Sequence, residues 1–160
     1  MPIELLRIDD RLVHGQVVEG WLPFLGVDLV AVVSDGAAED PVQTALMRMA
    51  LPESVGLLSL TVADAPAALS APQAAARKVM VLAPGPSEAL ALLENGVVVD
   101  RVNVGGLHFT VGKVQLGRAL FLDEKDKKAL LAIVARGVRL EGRPLPSDPE
   151  EDLGAMLGGR

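Results

Sequence analysis

The stretch Arg7-Ile8-Asp9-Asp10-Arg11-Leu12-Val13-His14-Gly15-Gln16 ends an apolar run at residues 3–8 and leads into apolar positions from Val17 to Leu25. The first run reads as a buried strand, and the second recurs at helical spacing, which predicts a helix over 14–25. Two acids, an arginine and one of the chain's two histidines therefore sit at a strand-to-helix junction. Open α/β sheets place their ligand sites at such junctions.

Outward from that junction, strands and helices keep alternating. Residues 27–33, 55–61, 78–82, 100–104 and 138–143 read as further strands, and 113–122 as one or two short ones. Helices are expected from Asp40-Pro41 to Ala50, over 88–94 and 123–136, and over 150–157, while 64–76, broken by Pro66 and Pro72, reads as a short helix and a loop. Asp40 before Pro41 reads as an N-cap with proline at N1, Asp123 as the cap of the helix that follows it, and Gly26 as a helix stop. Ser34-Asp35-Gly36 reads as a turn, Gly105-Gly106 as a loop after the fifth strand, and Gly158-Gly159-Arg160 as a fraying end. The pattern predicts an α/β fold: one three-layer domain over 1–160, with a mostly parallel central sheet and helices on both faces.

Composition agrees. Half of the 160 residues are hydrophobic, with three Phe, one Trp and no Tyr, so branched aliphatics must fill the core, as in a buried parallel sheet. The net charge is −6, and Lys125, Lys127 and Lys128 alternate with Asp123, Glu124 and Asp126. That run reads as a solvated helix start, and nucleic acid is not an expected partner. Without cysteine, thiolate metal sites and thiol nucleophiles are excluded. No leader is expected at Met1, and no apolar run approaches a membrane span.

His14 carries the chemistry. A neutral imidazole is a nucleophile that needs no separate base near neutral pH. Arg11 can offer a fork of N–H donors to phosphoryl oxygens. The helix start adds backbone amides, Gly15 allows close approach, and Asp9 or Asp10 can hold Arg11 or the imidazole. The same residues also fit a plain arrangement: Asp10 as a cap, Arg11 paired with Asp9, and His14 on the surface. Gly105 and Gly106 can face the same crevice, and Ser34 can add a hydroxyl. His108 can help receive a phosphate or be an ordinary loop residue. Trp21 and Phe24 read as packing, and Phe109 as a docking or packing residue.

Gly106 to Lys113 (GLHFTVGK) is one residue too long for a GxxxxGK loop, and Val114 replaces its Ser or Thr. No dinucleotide fingerprint, nucleophile elbow or metal-ligand set is present, so neither metal nor cofactor is expected. A receiver-like domain lacks its acceptor aspartate.

RIDDRLVHGQV, residues 7–17, resembles the active-site loop of the IIB subunits in the mannose/fructose/sorbose family of the bacterial phosphoenolpyruvate-dependent sugar phosphotransferase system (PTS). The likeness continues in VSDG at 33–36, MRMALP at 47–52, VNVGGL at 102–107, RGVRLE at 136–141 and LPSD at 145–148. It implies a sorbose-type IIB fold and a cytoplasmic phosphocarrier, peripheral to the inner membrane through its partners. His14 would take a phosphoryl group, on Nδ1, from a phosphohistidine on a IIA protein or domain, and pass it to a sugar held by the membrane subunits IIC and IID. Arg11 would neutralise the group in transfer. Asp9, Asp10 and Gln16 match motif positions, while Ser34, Asp35, Gly105 and Gly106 border the site. The alternative is a regulatory IIB-like protein with no part in sugar transport. Neither the sugar nor the oligomeric state is legible.

Overall fold

The computed structural model describes residues 3–118 and 120–158. In chain order the elements are β1 (Ile3–Asp9), α1, β2 (Leu29–Val33), α2 (Asp35–Ala38), α3 (Pro41–Ala50), β3 (Gly56–Leu60), α4 (Ala65–Ser70), α5 (Pro72–Ala75), β4 (Val79–Ala83), α6 (Pro86–Glu94), β5 (Arg101–Gly106), β6 (Val114–Leu116), β7 (Leu120–Leu122), α7 (Glu124–Ala135), β8 (Arg139–Gly142), β9 (Glu151–Asp152) and α8 (Leu153–Gly158). Helix α1 begins as a π-helical segment, Gln16–Trp21, and continues as an α-helix, Leu22–Leu25.

Seven strands form one sheet in the order β3-β2-β4-β1-β5-β8-β9. Within this sheet every pairing is parallel except β8 with β9, and β6 and β7 pair antiparallel as a separate two-stranded sheet. Strands β2 and β4 are apolar and buried along their whole length, as two-sided coverage requires. On one face α1 and α3 cover Leu5, Val30, Val32, Met80 and Leu82 through Trp21, Leu22 and Met47. On the other, α4, α6, α7 and α8 cover Leu6, Ile8, Ala31 and Val81 through Leu69, Leu92, Leu130, Ile133 and Leu153. The three-layer expectation holds.

This order positions the site. From β1 the chain leaves toward β2 and β3, then returns through β4 and crosses to β5 and β8 on the other side of β1. Connections diverging on either side of β1 leave a crevice beyond the carboxyl ends of β1 and β5.

Several local expectations need correction. The first helix starts one residue later than expected: His14 lies in the bend before it, and Gly15, with helical φ −53° and ψ −43°, leads into the segment from Gln16. Gly105 and Gly106 are the last residues of β5 and not a loop after it. Ser34-Asp35-Gly36 opens a short helix, α2, instead of a simple turn. The stretch 64–76 holds two short helices, because Pro72 starts the second where the first has ended. Glu151 and Asp152 pair with β8 as a strand before the last helix begins. The expected caps fare better: Gly26 ends α1 in the left-handed region at φ 67°, and the Asp40 side chain accepts the amides of Val42 and Gln43. Asp123 and Asp126 form a reciprocal cap on α7. Of the expected frayed end, Gly159 and Arg160 lie outside the described residues.

Candidate active site

The end of β1 turns sharply. The Asp9 carbonyl accepts the Leu12 amide at 3.1 Å, and its Oδ1 accepts the Arg11 amide at 3.0 Å. Leu12 takes φ 58°, the one non-glycine with positive φ among the described residues. That conformation is unfavourable for a branched side chain, and burial of the Leu12 side chain among Leu5, Val17 and Leu22 holds it there. Such strain gathers at functional turns. Here the turn swings His14 back over Asp9. The π-helical geometry that follows also gathers at functional sites.

His14 Nε2 lies 2.7 Å from Asp9 Oδ2, with the imidazole 13% exposed and the carboxylate fully buried. An ionised carboxylate only accepts hydrogen bonds, so Nε2 carries the proton. In the neutral ring the lone pair is then on Nδ1, which has no hydrogen-bond partner among the described residues. The ring is thus fixed as the tautomer whose Nδ1 can attack an electrophile.

Asp9 is itself held from below. Arg7 donates to its Oδ2 at 3.0 Å through Nη2, to Asn103 Oδ1 at 2.7 Å and to the Arg143 carbonyl at 3.0 Å. Asn103 donates to Glu141 Oε2 at 2.8 Å, and Arg101 donates to Glu141 Oε1 at 3.1 Å. Arg7, Asn103 and Glu141 occupy paired positions on β1, β5 and β8, so a buried polar row crosses three strands beneath the site. The guanidinium carbons of Arg7 and Arg143 lie 5.5 and 5.6 Å from the Trp21 ring centroid. The Trp21 indole N–H donates to the Pro144 carbonyl at 2.8 Å. Gly105 is required here, because a Cβ at that position would overlap the Arg7 guanidinium.

Burial alone would raise the Asp9 carboxyl, but the His14 hydrogen bond, the Arg7 charge and the Arg11 amide outweigh it. Together they hold the group below the usual carboxylate range. For Arg7 burial dominates and lowers the guanidinium, with Asp9 opposing. An acid whose folded value is depressed stabilises the fold fully above its unfolded value, about 3.9. That contribution is lost as pH falls through the lower folded value. Urea midpoints are therefore expected to fall steeply below about pH 4, and less steeply in Asp9→Asn. Equal slopes would show that Asp9 does not carry the acid sensitivity.

The expected site residues separate into two groups. Asp9, Asp10, Arg11, His14, Gly15, Gln16, Gly105 and Gly106 gather at the β1–β5 crevice. Gln16 Oε1 accepts from Arg7 Nη2 at 3.3 Å, and the Gly106 carbonyl accepts the Asp10 amide at 3.1 Å. Arg11 is exposed and makes no ion pair among the described residues. With Gln16, Gly105, Gly106, His108 and Phe109 it lines a cavity of about 420 Å³. Asp10 binds His108 instead of Arg11 or His14. The amides of Val17 and Val18 both donate to the His14 carbonyl, which removes them from any anion site at the helix start.

Ser34 and Asp35 do not join the group. Strand β4 separates β2 from β1, which puts their loop about 10 Å to the side. Ser34 Oγ accepts the Ala37 amide and Asp35 Oδ1 accepts the Val62 amide. Trp21 is fully buried as a packing residue, whereas Phe24 is 61% exposed and Phe109 60% exposed. Arg7, Asn103, Glu141 and Arg143 were not singled out from the sequence. The one available signal is a charged or amide residue within a strand, at Arg7, Asn103 and Glu141; Arg143 follows the end of β8. No group of three or more metal-ligating side chains forms among the described residues, and no described helix is long and apolar enough to cross a membrane.

The family model for the PTS system sorbose subfamily IIB component matches residues 3–160. The chain belongs to this family of IIB components. The "PTS system mannose-specific EIIAB component" of Escherichia coli (strain K12) is 40% identical over 150 residues, covering 94% of the chain and 46% of that relative. The chain thus spans about half the length of that relative. The "PTS system fructose-specific EIIB component" of Bacillus subtilis (strain 168) is 36% identical over 157 residues, covering 98% and 96% respectively. Among solved structures, the IIBSor domain of the sorbose permease from Klebsiella pneumoniae superposes with a TM-score of 0.92. It is 32% identical and covers 98% of this chain and 96% of its own. The sorbose-type IIB fold expected from the loop motif is therefore shown, and its crevice holds the Asp9–His14 pair.

Proposed function

We propose that this IIB component is a phosphocarrier whose His14 Nδ1 accepts a phosphoryl group from a phosphohistidine of IIA and passes it to a sugar. The observation that carries the reading is the hydrogen bond from His14 Nε2 to buried Asp9. It leaves a nucleophilic nitrogen at the crevice mouth and a carboxylate behind the ring to stabilise positive charge on it.

In the first step the Nδ1 lone pair forms a bond to phosphorus while the P–N bond to the IIA imidazole breaks. The transition state is loose and carries its charge on the equatorial oxygens. Alignment and positive charge are what the protein must add. Arg11, exposed beside the crevice and in no ion pair among the described residues, supplies the charge. Gly15, exposed with open space where a Cβ would stand, lets a partner approach closely. Gln16 and the ends of β1 and β5 complete the rim. The phosphorylated ring, still protonated at Nε2, is cationic against Asp9. It departs as neutral imidazole when a hydroxyl attacks.

The sugar is presented by the membrane subunits IIC and IID, and the protein acts on the cytoplasmic face, bound at the inner membrane only through them. Residues 1–160 act as one IIB domain, with the IIA function supplied by another domain or chain. Incubation with 32P-phosphorylated IIA is expected to leave one acid-labile label per chain, discharged by sugar in vesicles carrying IIC and IID. An unlabelled protein would overturn the reading. A labelled protein that discharges to no sugar would favour a regulatory role.

A further inference from the structure

Two consecutive acids each hold a histidine, by opposite ring nitrogens. Asp9 Oδ2 holds His14 by Nε2 at 2.7 Å. Asp10 Oδ1 holds His108 by Nδ1 at 2.6 Å, and Asp10 Oδ2 also accepts the His108 amide at 2.7 Å. With Nδ1–H on a carboxylate, the neutral His108 ring carries its lone pair on Nε2. The His108 side chain is 62% exposed and lines the same cavity as Arg11 and Gln16.

The two half-reactions of the proposed phosphocarrier differ in one proton. Transfer from a IIA imidazole to His14 needs none removed, because Nδ1 attacks as a free lone pair. Transfer to a sugar does. The hydroxyl oxygen bonds to phosphorus, the P–Nδ1 bond breaks with its electron pair returning to His14, and the hydroxyl proton must go elsewhere. His14 does not need that proton, since its ring departs neutral with Nε2–H still on Asp9. A carboxylate-oriented imidazole with a free Nε2 is the arrangement that general bases use against hydroxyls.

We propose that His108, oriented by Asp10, is the general base that takes the proton from the sugar hydroxyl as the phosphoryl group leaves His14. The inference rests on the phosphocarrier reading and goes beyond it. The proton on His108 Nε2 then passes to solvent through its exposed edge. Phe109, 60% exposed in the same cavity, offers a flat apolar wall to the C–H face of a sugar ring.

The test separates the two half-reactions. His108→Ala is loaded from 32P-phosphorylated IIA and then mixed with vesicles carrying IIC and IID. The probe is whichever of 14C-labelled mannose, fructose or sorbose the wild type phosphorylates. Loading is expected at the wild-type rate, and discharge at least ~100-fold slower. Asp10→Asn, which loses the orienting carboxylate, is expected to slow discharge too. Added imidazole is expected to restore part of the His108→Ala discharge, which a purely structural role would not allow. Discharge at the wild-type rate would overturn the assignment. Loading as impaired as discharge, with no rescue, would also overturn it by making His108 a structural residue. Failure of wild-type protein to load at all would instead strike at the phosphocarrier reading.

Discussion

Replacing His14 by Ala is expected to abolish phosphoryl uptake from IIA, to below detection, while leaving the fold intact. The loss is complete because Nδ1 of His14 is the bond-forming atom. The fold survives because the ring is partly exposed and its one hydrogen bond among the described residues goes to Asp9. Asp9 keeps Arg7 at 3.0 Å and the Arg11 amide at 3.0 Å after the change. Removing a hydrogen bond to a charged group costs about 1.5–3 kcal/mol, which a domain of this size absorbs. Single-turnover labelling and a thermal melt read the two effects separately. Label persisting in folded His14→Ala protein would move the acceptor elsewhere, with His108 the first place to look.

Asp9→Asn is expected to slow uptake by roughly 10³-fold and also to destabilise the fold by about 3 kcal/mol. Three donors converge on this carboxylate: the Arg7 guanidinium, the Arg11 amide and His14 Nε2. An amide has one acceptor oxygen, so its NH2 group must face at least one of them. Turned toward His14, it donates to Nε2 and drives the ring proton to Nδ1, which removes the nucleophile. Turned toward Arg11, it breaks the turn that brings His14 over β1. In either case Arg7, fully buried, loses its counter-charge, and an unpaired buried charge is the costly outcome. Urea unfolding measures the stability term, and single-turnover labelling of the folded fraction measures the chemical one. Uptake within threefold of wild type would show that Asp9 does not set the tautomer.

The strand–turn–helix around residues 7–17 was legible because its signals are local: an apolar run, a polar turn and helical spacing. The caps at Asp40 and Asp123 and the stop at Gly26 were legible for the same reason. The row beneath His14 was not. Arg7 meets Asn103 and the Arg143 carbonyl across 96 and 136 residues of chain, and only the strand order brings them together. Gly105 read as a turn residue, but its role is set by the guanidinium packed against it. Ser34 and Asp35 carried a plausible motif, yet the insertion of β4 between β2 and β1 took them out of reach. The preference of Asp10 for His108 over Arg11 is likewise a long-range pairing, 98 residues apart.

The central claim concerns one nitrogen. In protein labelled with 15N at histidine and phosphorylated by IIA, phosphorus–nitrogen coupling is expected at Nδ1 of His14, with the proton still on Nε2 against Asp9. Coupling at Nε2 of that ring, or phosphorus on any other side chain, would contradict it.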